Sequence, residues 1–133
     1  MSLIEWDDAT LSVGIKHIDN EHKALLNYIN ELSACLENNL AKEKLTLLFE
    51  QLIQYTQNHF ASEERYFSQL NLKDLRLHQL QHKHFMEQLH LLKKQNDDHV
   101  SQDLLELLLD WLVIHIQCED MKFIQDNKIP QNK

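Results

Sequence analysis

The segment HQLQH places His78 and His82 four residues apart. On a helix that spacing sets two side chains about 40° apart around the axis and one turn apart along it, so both imidazoles can reach one ion. The pair alone says little, because the chain holds nine histidines. Three other segments supply matching groups: His22, the pair His59 and Glu63 in NHFASE, and the pair His115 and Asp120 in HIQCED. Each falls in the apolar stripe of an amphipathic helical pattern. Five histidines and two carboxylates in a packed interior would cost several kcal/mol per group unless they are paired or bound to metal.

One tetrahedral zinc needs fewer ligands than these, and calcium or magnesium prefers oxygen throughout. The count suits two ions of intermediate softness that share bridging carboxylates, with iron foremost. Glu63 and Asp120 fit the bridging role, since each carboxylate has one oxygen for each metal. One pair fits less easily. His115 and Asp120 are five residues apart, about 140° around an ideal helix. The helix must end or distort there, or the carboxylate must reach across.

The elements that have to position these groups are helical. The one glycine (Gly14) and the one proline (Pro130) both lie near the ends, so nothing between residues 15 and 129 breaks a helix. The first helix opens near Asp19 or Asn20, either of which can cap it. Its stripe is His22, Leu25, Leu26, Ile29, Leu32 and Leu36, and Asn38 and Asn39 close it. The second covers about 41 to 69, with Leu45, Leu48, Phe49, Leu52, Tyr55, His59, Glu63 and Tyr66 along one side. The third is capped by Asp74, carries Leu75, His78, His82, Phe85, Leu89 and Leu92, and ends in Lys93 and Lys94, which suit its C-terminal dipole. The fourth is capped by Ser101 and shows Leu104, Leu105, Leu108, Trp111, Leu112 and His115.

Short connections make successive helices antiparallel, so the chain is expected to be all-α: an up-down-up-down four-helix bundle. Residues 1–17 form an arm packed on it through Trp6, Leu11, Val13 and Ile15. The bundle takes 18–125 and a short tail follows, all as one domain. Register supports a common site. His22 is near the start of the first helix, His59 near the end of the second, His78 and His82 near the start of the third, and His115 near the end of the fourth. In an antiparallel bundle those positions share one end.

Composition narrows the partners. A net charge of −8 disfavours nucleic acid and anionic membrane surfaces. No apolar run approaches the roughly 20 residues needed to span a bilayer. The acidic start MSLIEWDD does not resemble a signal peptide. Cys35 and Cys118 are too few for a disulfide framework, so a cytoplasmic location is expected.

Along these residues the sequence resembles the hemerythrins, the single-domain bacterial ones in particular. The likeness runs from Trp6 and VGIKHIDNEH through NHFASEE and HQLQHKHF to WLVIHIQCED, nearly the whole chain. The resemblance implies a non-enzymatic protein that binds O₂ reversibly for storage, delivery or sensing. It implies two iron ions (Fe²⁺/Fe³⁺), with His78, His82 and His115 on one and His22 and His59 on the other. Glu63 and Asp120 would bridge them beneath an oxo or hydroxo group. O₂ would be held as hydroperoxide on the two-histidine iron, where nitric oxide or other small anions could also bind.

The resemblance further implies a dry pocket formed by Leu25, Phe60 and Trp111. Cys118 is expected in that pocket as well, at a position where leucine is common in animal members. A thiol there is more polar and more easily oxidised, which would shorten the life of the oxygenated form. The competing reading is a di-iron oxidase, peroxidase or nitric oxide-handling enzyme, or an iron storage or repair protein. Enzymatic di-iron bundles draw on Glu-x-x-His motifs and more carboxylates, and the histidine-rich set here leans away from them. His17, His84, His90 and His99 match no ligand position, and Glu64 and Glu119 are expected to be solvated.

Overall fold

The computed structural model describes residues 4–38, 42–70, 75–95, 102–127 and 129. A short α1 (Asp8–Leu11) lies in the N-terminal arm. Three long helices follow: α2 (Lys16–Glu37), α3 (Lys42–Ser68) and α4 (Leu75–Gln95). The fourth arm of the bundle is composite: α5 (Gln102–Ile114), a π-helical turn (His115–Asp120) and α6 (Met121–Asp126). Helix α2 packs on α3 and α5, and α3 packs on α4. The architecture is the expected antiparallel four-helix bundle. Among the described residues there is no strand, and no helix is long and apolar enough to cross a membrane.

The stripes bury as their period requires. Helix α2 contributes Leu25, Leu26, Ile29 and Leu32, α3 contributes Leu45, Phe49, Leu52 and Ile53, α4 contributes Phe85 and Leu89, and α5 contributes Leu105, Leu108 and Leu112. Each such side chain is worth about 1.5–3 kcal/mol when fully removed from water. A second apolar group closes the other end. There Ile15, Ile18, Phe67, Phe123 and Ile124 are buried, with the rings of Phe67 and Phe123 4.9 Å apart. Both rings also lie against His78, at 5.5 and 4.6 Å. A polar layer is thus enclosed between two apolar ones.

The arm is part of this enclosure. Leu11, Val13 and Ile15 are buried, while Trp6 is half-buried with the Lys23 ammonium 5.1 Å above its ring. The first long helix starts at Lys16, not at Asp19 or Asn20 as the capping rule suggested. Asp19 is used differently. Its carboxylate is buried and accepts hydrogen bonds from the Val13 N–H (2.8 Å) and the Ser12 hydroxyl (2.5 Å). A side chain expected to cap the helix therefore ties down the loop before it. Directly after the two donors Gly14 takes φ 80°, a left-handed conformation that glycine adopts without steric cost. The arm is also tied to the π-helical turn, where the Gln117 side chain donates to the Thr10 carbonyl at 3.1 Å.

At its other end α2 closes at Asn38, whose backbone N–H and side-chain amide both donate to the Ala34 carbonyl. The caps expected of Asn39, Asp74 and Ser101 lie outside the described residues, as do His99 and the side chains of Leu92 and Leu104.

Candidate metal centre

All seven side chains expected to gather do so. His22, His59, Glu63, His78, His82, His115 and Asp120 are each at most 2% exposed. They come from the first two turns of α2, the last turns of α3, the first turns of α4 and the π-helical turn. Two groups form. Glu63, His78, His82, His115 and Asp120 offer ligand atoms that all lie within 4.8 Å of one another, and so do His22, His59 and Glu63.

The distances divide each carboxylate between the two groups. Glu63 Oε1 lies 2.7 Å from His78 Nε2 and 3.2 Å from His82 Nε2. Its Oε2 lies 3.2 Å from His59 Nε2 and 3.7 Å from His22 Nε2. Asp120 repeats the pattern. Its Oδ1 is 3.1 Å from His78 Nε2 and 3.2 Å from His115 Nε2, and its Oδ2 is 3.3 Å from His22 Nε2. One oxygen of each acid faces the three-histidine side and the other faces the two-histidine side.

Most of these atoms have no hydrogen-bond partner. Nε2 of His22, His59, His82 and His115, Oε2 of Glu63 and both oxygens of Asp120 are buried and unsatisfied. A native interior pairs nearly all such groups, and an orphan costs about 1–3 kcal/mol. So many converging orphans in one layer are what a group able to hold cations presents. Imidazole and carboxylate donors in this ratio fit a pair of first-row transition ions, iron included.

His115 and Asp120 reach the same layer because the helix widens between them. A π-helix bonds i to i+5 instead of i to i+4, so five residues close one turn. Sequence spacing called for the helix to end or distort here, or for the carboxylate to reach across, and the π-helical turn is a distortion of that kind. Helix α3 needs none, since His59 and Glu63 are already at i and i+4.

On the outer edge of the rings a second set of acids appears. Nδ1 of His59 lies 2.6 Å from Glu21 Oε1, Nδ1 of His82 lies 2.8 Å from Glu64 Oε2, and Nδ1 of His115 lies 3.0 Å from Glu119 Oε2. Glu21 also accepts from the Ser62 hydroxyl at 3.1 Å. Glu64 and Glu119, expected in solvent, are only 27% exposed and engaged. Glu21 was not anticipated at all. Its signal was adjacency: Glu21, Glu64 and Glu119 each stand one residue from a member of the inner set. A step of one residue turns about 100° around the helix, which points the acid at the back of a histidine instead of at the centre. The Nδ1 atoms of His22 and His78 have no partner among the described residues.

The fields are strong in both directions. Burial pushes the His59, His78 and His115 imidazoles down, but neighbouring carboxylates outweigh it. His59 and His78 are raised to about 9 and His115 to about 10. For His59 the partners are Glu21 and Glu63, for His78 they are Asp120 and Glu63, and for His115 they are Asp120 and Glu119. Burial favours the neutral acids, yet the histidines hold Glu63 well below the carboxylate range and lower Asp120 too.

Apolar side chains back the rings. Phe60 stacks on His82, with centroids 3.9 Å apart and planes 7° apart, and Trp111 stacks on His115 at 5.1 Å. Leu25 is fully buried one turn beyond His22, and Trp111 is half-buried. Cys118 departs from expectation. It is exposed and lines a surface cleft with Leu77, Gln81 and Lys122. With the π-helical turn bringing Asp120 inward, residue 118 falls on the outer side, so the thiol is not part of the apolar lining.

Comparison with known proteins bears on this geometry. A family profile described as the hemerythrin HHE cation binding domain matches residues 13–125. A bacteriohemerythrin of Clostridium acetobutylicum is 29% identical over 126 residues, covering 90% of this chain and 97% of its own. A myohemerythrin of Theromyzon tessulatum is 31% identical over 122 residues, covering 90% and 89%. The crystal structure of a wild-type hemerythrin superposes with a TM-score of 0.82 at 25% identity, covering 92% of this chain and 95% of that one.

Proposed function

Since the chain belongs to the hemerythrin family, we propose that it binds O₂ reversibly at a non-haem di-iron centre and serves in oxygen storage, delivery or sensing. The observation that carries this reading is the division of the Glu63 and Asp120 oxygens between two histidine groups. In it His78, His82 and His115 hold one ion, His22 and His59 hold the other, and the two carboxylates bridge. The bound iron pair would supply the electrons that make O₂ binding possible and, when they are returned, reversible.

The chain's own residues do the rest. Glu63 and Asp120 would hold two cations side by side, each acid turning one oxygen to either histidine group. Glu21, Glu64 and Glu119 accept the Nδ1–H of His59, His82 and His115, which presents Nε2 as the lone-pair donor and fixes each ring. With only His22 and His59 beside the two carboxylates, this side offers fewer protein ligands, and an ion held there would be the one with room for O₂ or another small molecule such as nitric oxide. Leu25, Phe60 and Trp111 keep water from the layer.

With every inner residue at most 2% exposed, the layer is closed to a bulky organic substrate, which supports a small molecule such as O₂ as the ligand. Two free thiols, Cys35 and Cys118, accord with a reducing cytoplasm.

The test is an anaerobic optical titration of the reduced, iron-loaded protein with O₂, followed by O₂ removal, alongside iron analysis. A charge-transfer band that appears and then vanishes, at two irons per chain, is the expected result. Direct conversion to the oxidised form with no reversible stage would defeat the carrier reading.

A further inference from the structure

Between α3 and α4 an open cleft of about 440 Å³ reaches the back of the metal centre. Its lining includes Phe60, His82 and Glu64, with Leu80 and Met86 extending the apolar part. Arg76 and Lys83, both exposed, also line it. They stand seven residues apart on one face of α4, two turns and about 10 Å along its axis. Among the described residues neither cation pairs with a carboxylate.

Two cations against the single acid Glu64 give this cleft a net positive lining on a chain whose net charge is −8. The one acid in the lining, Glu64, already accepts from His82 Nδ1 at 2.8 Å. The other cleft that touches an inner histidine differs, since its lining sets Glu119 and Asp126 against Lys122 alone. An anion is therefore drawn to the α3–α4 side.

We infer that the α3–α4 cleft binds a small organic phosphate, its charged group between Arg76 and Lys83 and its less polar body against Phe60, Leu80 and Met86. The bound phosphate sits behind Glu64 and His82 as seen from the centre. Negative charge at that point stabilises the more positive, oxidised centre. By linkage, the oxidised protein must then bind the phosphate more tightly than the reduced one. Binding stands apart from the proposed function, while this redox coupling rests on it.

The iron-loaded full chain would be titrated calorimetrically with adenosine monophosphate, with adenosine as the uncharged control. The monophosphate should saturate one site and adenosine should bind at least about tenfold more weakly, a difference of about 1.4 kcal/mol. Affinity should fall at least as far in an Arg76→Glu/Lys83→Glu variant and be several-fold higher for oxidised than for reduced protein. Equal binding of both probes, no saturation by millimolar monophosphate, or indifference to the charge reversal overturns the site. Inorganic phosphate competing as well as the monophosphate overturns the role of the apolar wall, and equal affinity in both redox states overturns the coupling. Iron content and circular dichroism check the variant's fold, and Arg76→Gln/Lys83→Gln serves if charge reversal disturbs it. Reversible O₂ binding on the same preparation separates failure of this site from failure of the carrier reading.

Discussion

A histidine that turns Nε2 toward a buried centre must still satisfy the proton on Nδ1, and here three glutamates do so. Their substitution should be felt by the metal. In Glu64→Gln the ring of His82 keeps a hydrogen bond but loses an anionic acceptor, so metal affinity should drop about 10- to 100-fold by chelator competition. Unchanged affinity would show that Glu64 is only a neighbour. The same charges govern the metal-free protein. His59, His78 and His115 titrate at about 9 to 10 when folded and near 6.5 when unfolded. Their stabilisation is complete below about 6.5 and is lost as pH rises through 9 to 10. Glu63 and Asp120 are depressed from 4.5 and 3.8, so their share is present above those values and is lost as pH falls. Thermal melts of metal-free protein should therefore peak between about pH 4.5 and 6.5 and decline on the alkaline side. A melting temperature that climbs toward pH 10 would contradict that charge arrangement. Residue types and spacing made the seven inner groups legible, because burying them without a cation is expensive. The outer acids were hidden by the same logic. Glu21 and Glu64 look solvated until the neighbouring helix, which sequence does not place, supplies the histidine behind each, while Glu119 meets His115 within its own segment at i and i+4.

The π-helical turn and the arm are the elements that sequence period could not draw. Periodicity found four helices, because their leucine stripes and lack of internal glycine or proline leave little choice. It left the His115–Asp120 segment as a contradiction, which the wider turn resolves. Deleting Gln117 would restore i,i+4 spacing but rotate α6 against the bundle, drawing Phe123 and Ile124 from the core. The expected outcome is retained helical circular dichroism with metal content and thermal stability both reduced. A deletion variant with full metal content would remove the need for the wider turn. The start of α2 was misplaced for a related reason. Asp19 satisfies donors in the arm, a tertiary role that outranks its intrinsic preference for the cap. Asp19→Ala removes the acceptor of the Val13 N–H and Ser12 hydroxyl hydrogen bonds and should cost about 1–3 kcal/mol in denaturant unfolding. Loss below a few tenths of a kcal/mol would mean that the arm is held by its apolar anchors alone.

At the scale of the molecule, a polar layer is sandwiched between two apolar ones, and the layers answer to different conditions. Metal should bear on the polar layer alone. Chelated protein is expected to keep its helical signal and melt at lower temperature, while metal at a hundredfold over its Kd restores about 2.7 kcal/mol. Coincident melts with and without metal would refute that division.

The same layout has a consequence in time. Synthesis proceeds from the N-terminus, so α2 and α3 leave the ribosome before α4 and the π-helical turn. His22, His59 and Glu63 are all available once α3 is finished, so the two-histidine side lacks only Asp120 at that stage. The three-histidine side waits for α4 and then for His115 and Asp120 near the end of the chain. An ion arriving early thus meets one nearly finished pocket and one barely begun. In the proposed centre, the order in which the ribosome delivers the ligands would be the order in which the two positions can fill.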